Sequence, residues 1–179
     1  MDSEKGIKNI RSVQHAGSWV AHGPLAAALL PPEATIVQPL DPQLEFVVRL
    51  NRLSATIAGA PLLGPDADEV RSSCLHAVDL LRHTHASVVQ STSGARRVWA
   101  WPFQLPRSFP NLISKGNPLA LVTLAYFASL VREFEDESWF SRGWSSSVQT
   151  VVEASLDQPW KAWVVWPSQS GPEDLGLKV

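Results

Sequence analysis

An all-α domain is what this sequence predicts, on three observations. Apolar residues recur at spacings of three and four through most of the chain after residue 41, and proline directly follows a capping residue at Asp41-Pro42 and at Asn117-Pro118. The one alternating stretch, Val98-Trp99-Ala100-Trp101, has no second strand to pair with. The 179 residues read as a single irregular helical domain of about five to seven helices over residues 41–168, with a loose, proline-rich arm over 1–40 and a flexible tail over 169–179.

Each element has its own signal. Pro24, Pro31, Pro32 and Pro39 leave the arm room for one short helix over Pro24–Leu30. The first main helix is expected from Asp41-Pro42 to Ile57, before Gly59, Pro61, Gly64 and Pro65. Glu45, Arg49, Arg52 and Thr56 form one narrow polar stripe on it, and apolar residues take most of the remaining circumference, so cover on more than one side is expected. A second helix starts near Asp66 and carries Val70, Cys74, Ala77, Leu81, His85 and Val88 on one face, ending before Ser91. Pro102 and Pro106 cut the alternating stretch short, which makes it an extended connector, and a short helix over Pro106–Ser114 follows.

Asn117-Pro118 then opens a run from Leu119 to Val131 in which only Thr123 and Ser129 are polar, the expected centre of the core. Glu133, Glu135, Asp136 and Glu137 make a turn. Phe140, Trp144, Val148, Val151 or Val152, and Leu156 recur at helical spacing beyond it. Asp157 and Pro159 start a last helix carrying Trp160, Trp163 and Val164 before Trp166-Pro167.

Composition narrows the function classes. Lys plus Arg number 15 against 17 for Asp plus Glu, so nucleic acid has no broad electrostatic reason to bind. One cysteine, Cys74, rules out an internal disulfide and a multi-thiolate zinc site, and points to a reducing, intracellular setting. The N-terminus has no apolar run behind its charges, and no stretch reaches the roughly 18 apolar residues of a membrane span, so neither secretion nor membrane insertion is expected.

Conventional catalytic motifs are missing: there is no nucleophile elbow, phosphate-binding loop, dinucleotide fingerprint or His-Glu-x-x-His. His76, Asp79 and His83 share a helix face suited to a metal or to acid–base chemistry, but Glu69 and Ser72 share it too, which makes a solvated face with an Asp79–His83 pair the simpler reading. His85 and Cys74 lie in the apolar stripe and read as core or pocket-lining groups. The acidic turn reads as a solvated connection, and Arg96-Arg97 beside Trp99 and Trp101 is a faint single-strand-binding signal without a wider basic field. No catalytic residue, metal or cofactor is assigned; were the chain an enzyme, His85, Tyr126 and Arg142 would be its polar groups.

All but one of the eight tryptophans lie between Trp99 and Trp166. Bulky rings here, facing small residues such as Ala120, Ala125, Ala128 and Gly143, make either a plain core or a cavity for an apolar ligand; Phe103, Leu124, Phe127, Trp139 and Trp144 are its positional candidates.

Trp101-Pro102, the run Asn117-Pro118-Leu119-Ala120-Leu121-Val122-Thr123-Leu124-Ala125-Tyr126-Phe127, Trp139, Gly143-Trp144, Pro159-Trp160 and Trp166-Pro167 stand in an order and spacing that resembles the C-terminal regulatory domain of fungal six-cysteine zinc-cluster transcription factors, of the sterol uptake control regulator type. The likeness covers about residues 97–168. It implies an all-α domain, a nuclear (otherwise cytoplasmic) location, and a hydrophobic pocket for a sterol-like or other apolar small molecule, or a regulatory partner protein. The family's zinc cluster has no counterpart here, since Cys74 is the only cysteine, so a truncated regulator with no direct DNA contact of its own is expected. The competing expectation is a stand-alone protein of fungal secondary metabolism that binds a hydrophobic metabolite, or a cofactor-free cyclase or isomerase. Apolar helices left bare in a truncated domain would make a homodimer a way to cover them.

Overall fold

The longest apolar run of the sequence forms the central helix of the structure. In a computed structural model, which describes residues 41–62, 64–91, 94–137 and 141–177, every described element is helical and no strand is present among these residues. In chain order the helices are α1 (Glu45–Gly59), α2 (Ala67–Val89), α3 (Gly94–Val98), α4 (Ala100–Gln104), α5 (Ser108–Ser114), α6 (Pro118–Arg132), α7 (Trp144–Ser155) and α8 (Gln158–Gln169), with a 3-10 turn at Glu135–Glu137. The arm expected over 1–40, with its helix over 24–30, lies outside the described residues, as do Trp139 and Phe140.

Helix α6 starts as its sequence dictates. Asn117 Oδ1 accepts from the backbone N–H groups of Leu119 (3.1 Å) and Ala120 (3.3 Å), and Pro118 lacks only an N–H that the first turn cannot use. All residues from Leu119 to Val131 are buried, because α2, α3, α5, α7 and α8 pack around this helix. Its two polar side chains bond back to their own helix, Thr123 Oγ1 to the Leu119 carbonyl (2.8 Å) and Ser129 Oγ to that of Tyr126 (2.8 Å), so no polar group is stranded. Burying each large apolar side chain here stabilises the fold by about 1.5–3 kcal/mol. Helix α1 rests on α2 through Phe46, Leu50, Leu53 and Ile57, all fully buried.

Four local expectations need correction. Helix α1 begins at Glu45: Asp41 Oδ1 accepts from the Gln43 N–H (2.9 Å), so Asp41 stabilises a turn ahead of the helix and does not cap it. The stretch 98–101 is not extended, since it spans the end of α3 and the start of α4. Pro102 is the third residue of α4, within the first turn, where a backbone N–H has no intrahelical partner to lose. Helix α7 begins at Trp144, after a turn over 141–143 that ends at Gly143 in the left-handed region at φ 74°, and so starts later than its spacing predicts.

The fourth correction concerns the tail, expected to be flexible from residue 169. Helix α8 runs to Gln169, and residues 170–177 fold back as a strap whose Leu175 is fully buried. The Asp174 carbonyl accepts from the free N–H of Phe46 in the first turn of α1 (3.3 Å), and that of Leu175 meets His85 on α2 (2.7 Å). Arg132 at the end of α6 donates to the carbonyls of Ser168 (2.9 Å) and Ser170, holding the last carbonyls of α8. Three helices thereby hold one short terminal segment.

Candidate functional site

Arg49 and Arg52 sit three apart on the polar stripe of α1, so both guanidinium groups project to the same side. Trp163 and Trp166 repeat that spacing on α8. Where the two faces meet, Arg49 lies 4.9 Å from the Trp166 ring centroid and Arg52 lies 5.3 Å from that of Trp163. Tyr126 of α6 stacks its ring on Trp166 at 5.8 Å and 27°. Arg49, Arg52, Tyr126, Ala162 and Trp163 enclose a half-open cleft of about 190 Å³.

The charges in this cleft are uneven. Glu45 Oε1 lies 2.6 Å from Arg49 Nε and answers its charge, whereas Arg52 has no carboxylate within ion-pair reach among the described residues. Burial pushes the Tyr126 phenol above its ordinary value, and Arg49 and Arg52 only partly oppose this, so at neutral pH Tyr126 is a phenol able to donate its proton in a hydrogen bond. Two guanidinium groups beside the Trp163 indole suit the binding of an anion on a flat molecule.

His85 lies one layer deeper, against Phe46 (4.4 Å between centroids), which in turn meets Tyr126 and Trp166 (6.1 Å each). The ring is fully buried; Nε2 bonds to the Leu175 carbonyl and therefore carries the proton, while Nδ1 has no partner. Burial lowers its pKa to about 4, the Leu175 bond opposing, so the imidazole is neutral. His85 holds the strap and does not line the cleft. Arg142 is exposed in the turn before α7 and does not line it either, so of the three residues named for an enzyme only Tyr126 does.

The apolar-ligand candidates separate as well. Phe127 and Trp144 come together at 5.7 Å, but inside a filled cluster: Phe127 stacks on Trp101 (4.3 Å), Trp99 meets Trp144 (5.3 Å) and Phe127 (6.0 Å), and Phe109 meets Trp101 edge-on (5.8 Å). Trp101 is fixed by its Nε1–H bond to the Ala77 carbonyl (2.9 Å). Leu124 is buried in α6, Phe103 is exposed at 37 % on α4, and Trp139 lies outside the described residues.

On the polar face of α2, Asp79 pairs with Arg82 and not with His83, and among the described residues no group of His, Cys, Asp or Glu is placed to hold a metal. Arg82 also reaches the Leu50 carbonyl (3.2 Å) and Ser54 Oγ (2.7 Å) on α1, so the pair fastens α1 to α2. In the acidic turn Glu135 accepts from the backbone N–H groups of Gly143 (2.9 Å) and Ser145 (2.5 Å) and caps α7. Arg97 donates to Ser87 Oγ (2.9 Å), and burial pushes the Cys74 thiol up to about 12.

Arg49 and Arg52 belong to the narrow polar stripe expected on the first main helix. The only sequence signal for the cleft was the match between two arginines three apart on an otherwise apolar helix and two tryptophans three apart on another. Among the described residues, no helix is long and apolar enough to cross a membrane. No family model, curated protein or solved structure matches the chain.

Proposed function

We propose that this chain is a regulatory sensing module: a helical domain that binds a small molecule and reports the occupied state to a partner, with no chemistry of its own. The observation that carries this reading is the cleft between α1 and α8, where convergent polar groups on rigid helices are lined by aromatic walls. The order of Trp and Pro landmarks from Trp101-Pro102 to Trp166-Pro167 supports it, since the regulators they resemble pair such a domain with a separate DNA reader and work in the nucleus. That resemblance names a sterol-like or other apolar molecule as ligand. The cleft, at about 190 Å³, is smaller than the roughly 300–1,000 Å³ of pockets for drug-sized ligands, and favours a smaller molecule or one end of a larger one.

Occupancy has a structural route to the surface. A ligand in the cleft touches α1 and α8, and both are tied to the strap, α1 through Phe46 and α8 through its own C-terminus. The test is native mass spectrometry of the purified chain after exposure to a lipid and metabolite extract, with melting temperature followed in parallel. One bound molecule per chain, raising the melting temperature and lost on Trp163→Ala, is expected. No adduct and no thermal shift, with sterols or with polar metabolites, would defeat the reading.

A further inference from the structure

We infer that the cleft between α1 and α8 takes a small aromatic monocarboxylate, its carboxylate held by Arg52 and its ring laid against Trp163. The inference rests on the reading of this cleft as a ligand site and adds the ligand's class. Charge is the first argument. Glu45 already balances Arg49, whereas Arg52 lies over the Trp163 ring with no carboxylate in ion-pair reach among the described residues, and one negative charge completes it. A phosphate dianion would need both guanidinium groups, and that of Arg49 is already engaged by Glu45.

Geometry is the second argument. A guanidinium presents parallel N–H groups that match the two oxygens of a carboxylate. The third is size and shape. A cavity of about 150 Å³ accepts a benzene ring, so about 190 Å³ holds one ring with a carboxylate and not the four fused rings of a sterol. Ala162 is the one small residue in the lining and takes up little of this space. Arg52 is itself exposed to solvent, so the affinity is modest and depends on salt.

The full chain is titrated with benzoate, with its neutral analogue benzamide and with inorganic phosphate. The tryptophan indole N–H signals are followed by nuclear magnetic resonance and assigned with Trp163→Phe and Trp166→Phe. Benzoate is expected to move the Trp163 and Trp166 signals saturably while that of Trp101 stays still, and benzamide and phosphate to bind at least about tenfold more weakly. Arg52→Gln is expected to lose about tenfold in benzoate affinity with an unchanged urea midpoint, and Arg52→Lys to lose less. Equal binding of benzamide, or tighter binding of phosphate, overturns the monocarboxylate assignment while leaving a ligand site in place. Silence of both indoles toward all three probes and toward a sterol overturns the assignment and the sensing-module reading together.

Discussion

His85 on α2 and Leu175 in the C-terminal strap, 90 residues apart in sequence, are joined by a bond of 2.7 Å from the imidazole Nε2 to the Leu175 carbonyl, with both residues fully buried. The bond requires only a proton on Nε2, which the neutral tautomer and the imidazolium both carry. Burial keeps the ring neutral by lowering the pKa from 6.5 to about 4, although the bond itself favours the charged form. Between these two values the unfolded chain binds a proton that the folded chain refuses, so stability rises with pH across this window and is lost as pH falls toward 4.

The contribution of His85 to this loss is roughly 3 kcal/mol between pH 6.5 and 4. Urea unfolding of the parent chain and of His85→Phe across the same window measures it, because the carboxylates titrate in both. The parent is expected to lose more stability than the variant, and equal pH dependence would show that His85 does not titrate in this way.

Glu135 and the start of α7 give a second prediction. Its two oxygens accept from the N–H groups of Gly143 and Ser145, at the positive end of the helix dipole. Glu135→Ala is expected to cost about 1–2 kcal/mol in urea unfolding, with Glu135→Gln in between because an amide oxygen accepts only one of the two bonds and carries no charge.

Gly94 tests the packing of α3 on the acidic turn. A methyl group at Gly94 would stand 2.3 Å from the Phe134 ring, so Gly94→Ala must displace that ring and is expected to cost about 1–3 kcal/mol. Phe134→Leu in the same chain vacates the space. A double-mutant cycle in thermal or urea unfolding is expected to recover a large part of the loss, and strict additivity would place the strain elsewhere.

Cys74 gives a chemical readout of core integrity. The thiol is buried and pushed up to about 12, so thiolate is scarce and reagents have no access. In the native chain a disulfide-exchange reagent is expected to react at least about a hundredfold more slowly than in urea. Rapid native reaction would indicate that α2 separates readily from its neighbours.

How much of this was legible in the sequence depends on how local the determinants were. The cap Asn117-Pro118 and the run that follows placed α6 correctly, because Asn117 needs only residues two and three ahead of it to act. The stretch 98–101 was misread because alternation over four residues is weak evidence, and because a proline in a helical first turn is tolerated. The strap escaped notice for a different reason. A tail rich in Ser, Gly and Pro with a lone Leu175 carries no periodicity, and its order comes from Arg132, His85 and Phe46, which are distant in sequence. The cleft was hidden likewise: a charged stripe looks solvated until another helix sets its tryptophans over it.

The complete burial of α6 also bears on the birth of the chain. Of the helices that enclose it, α7 and α8 lie after it in sequence. A nascent chain that has just released α6 from the ribosome therefore presents an apolar helix to the cell with part of its cover still unmade. At the few residues per second of synthesis, that interval is long compared with the microseconds in which helices form. The most apolar segment thus precedes part of its own lid in the chain, and its cover is complete only when α7 and α8 have packed onto it.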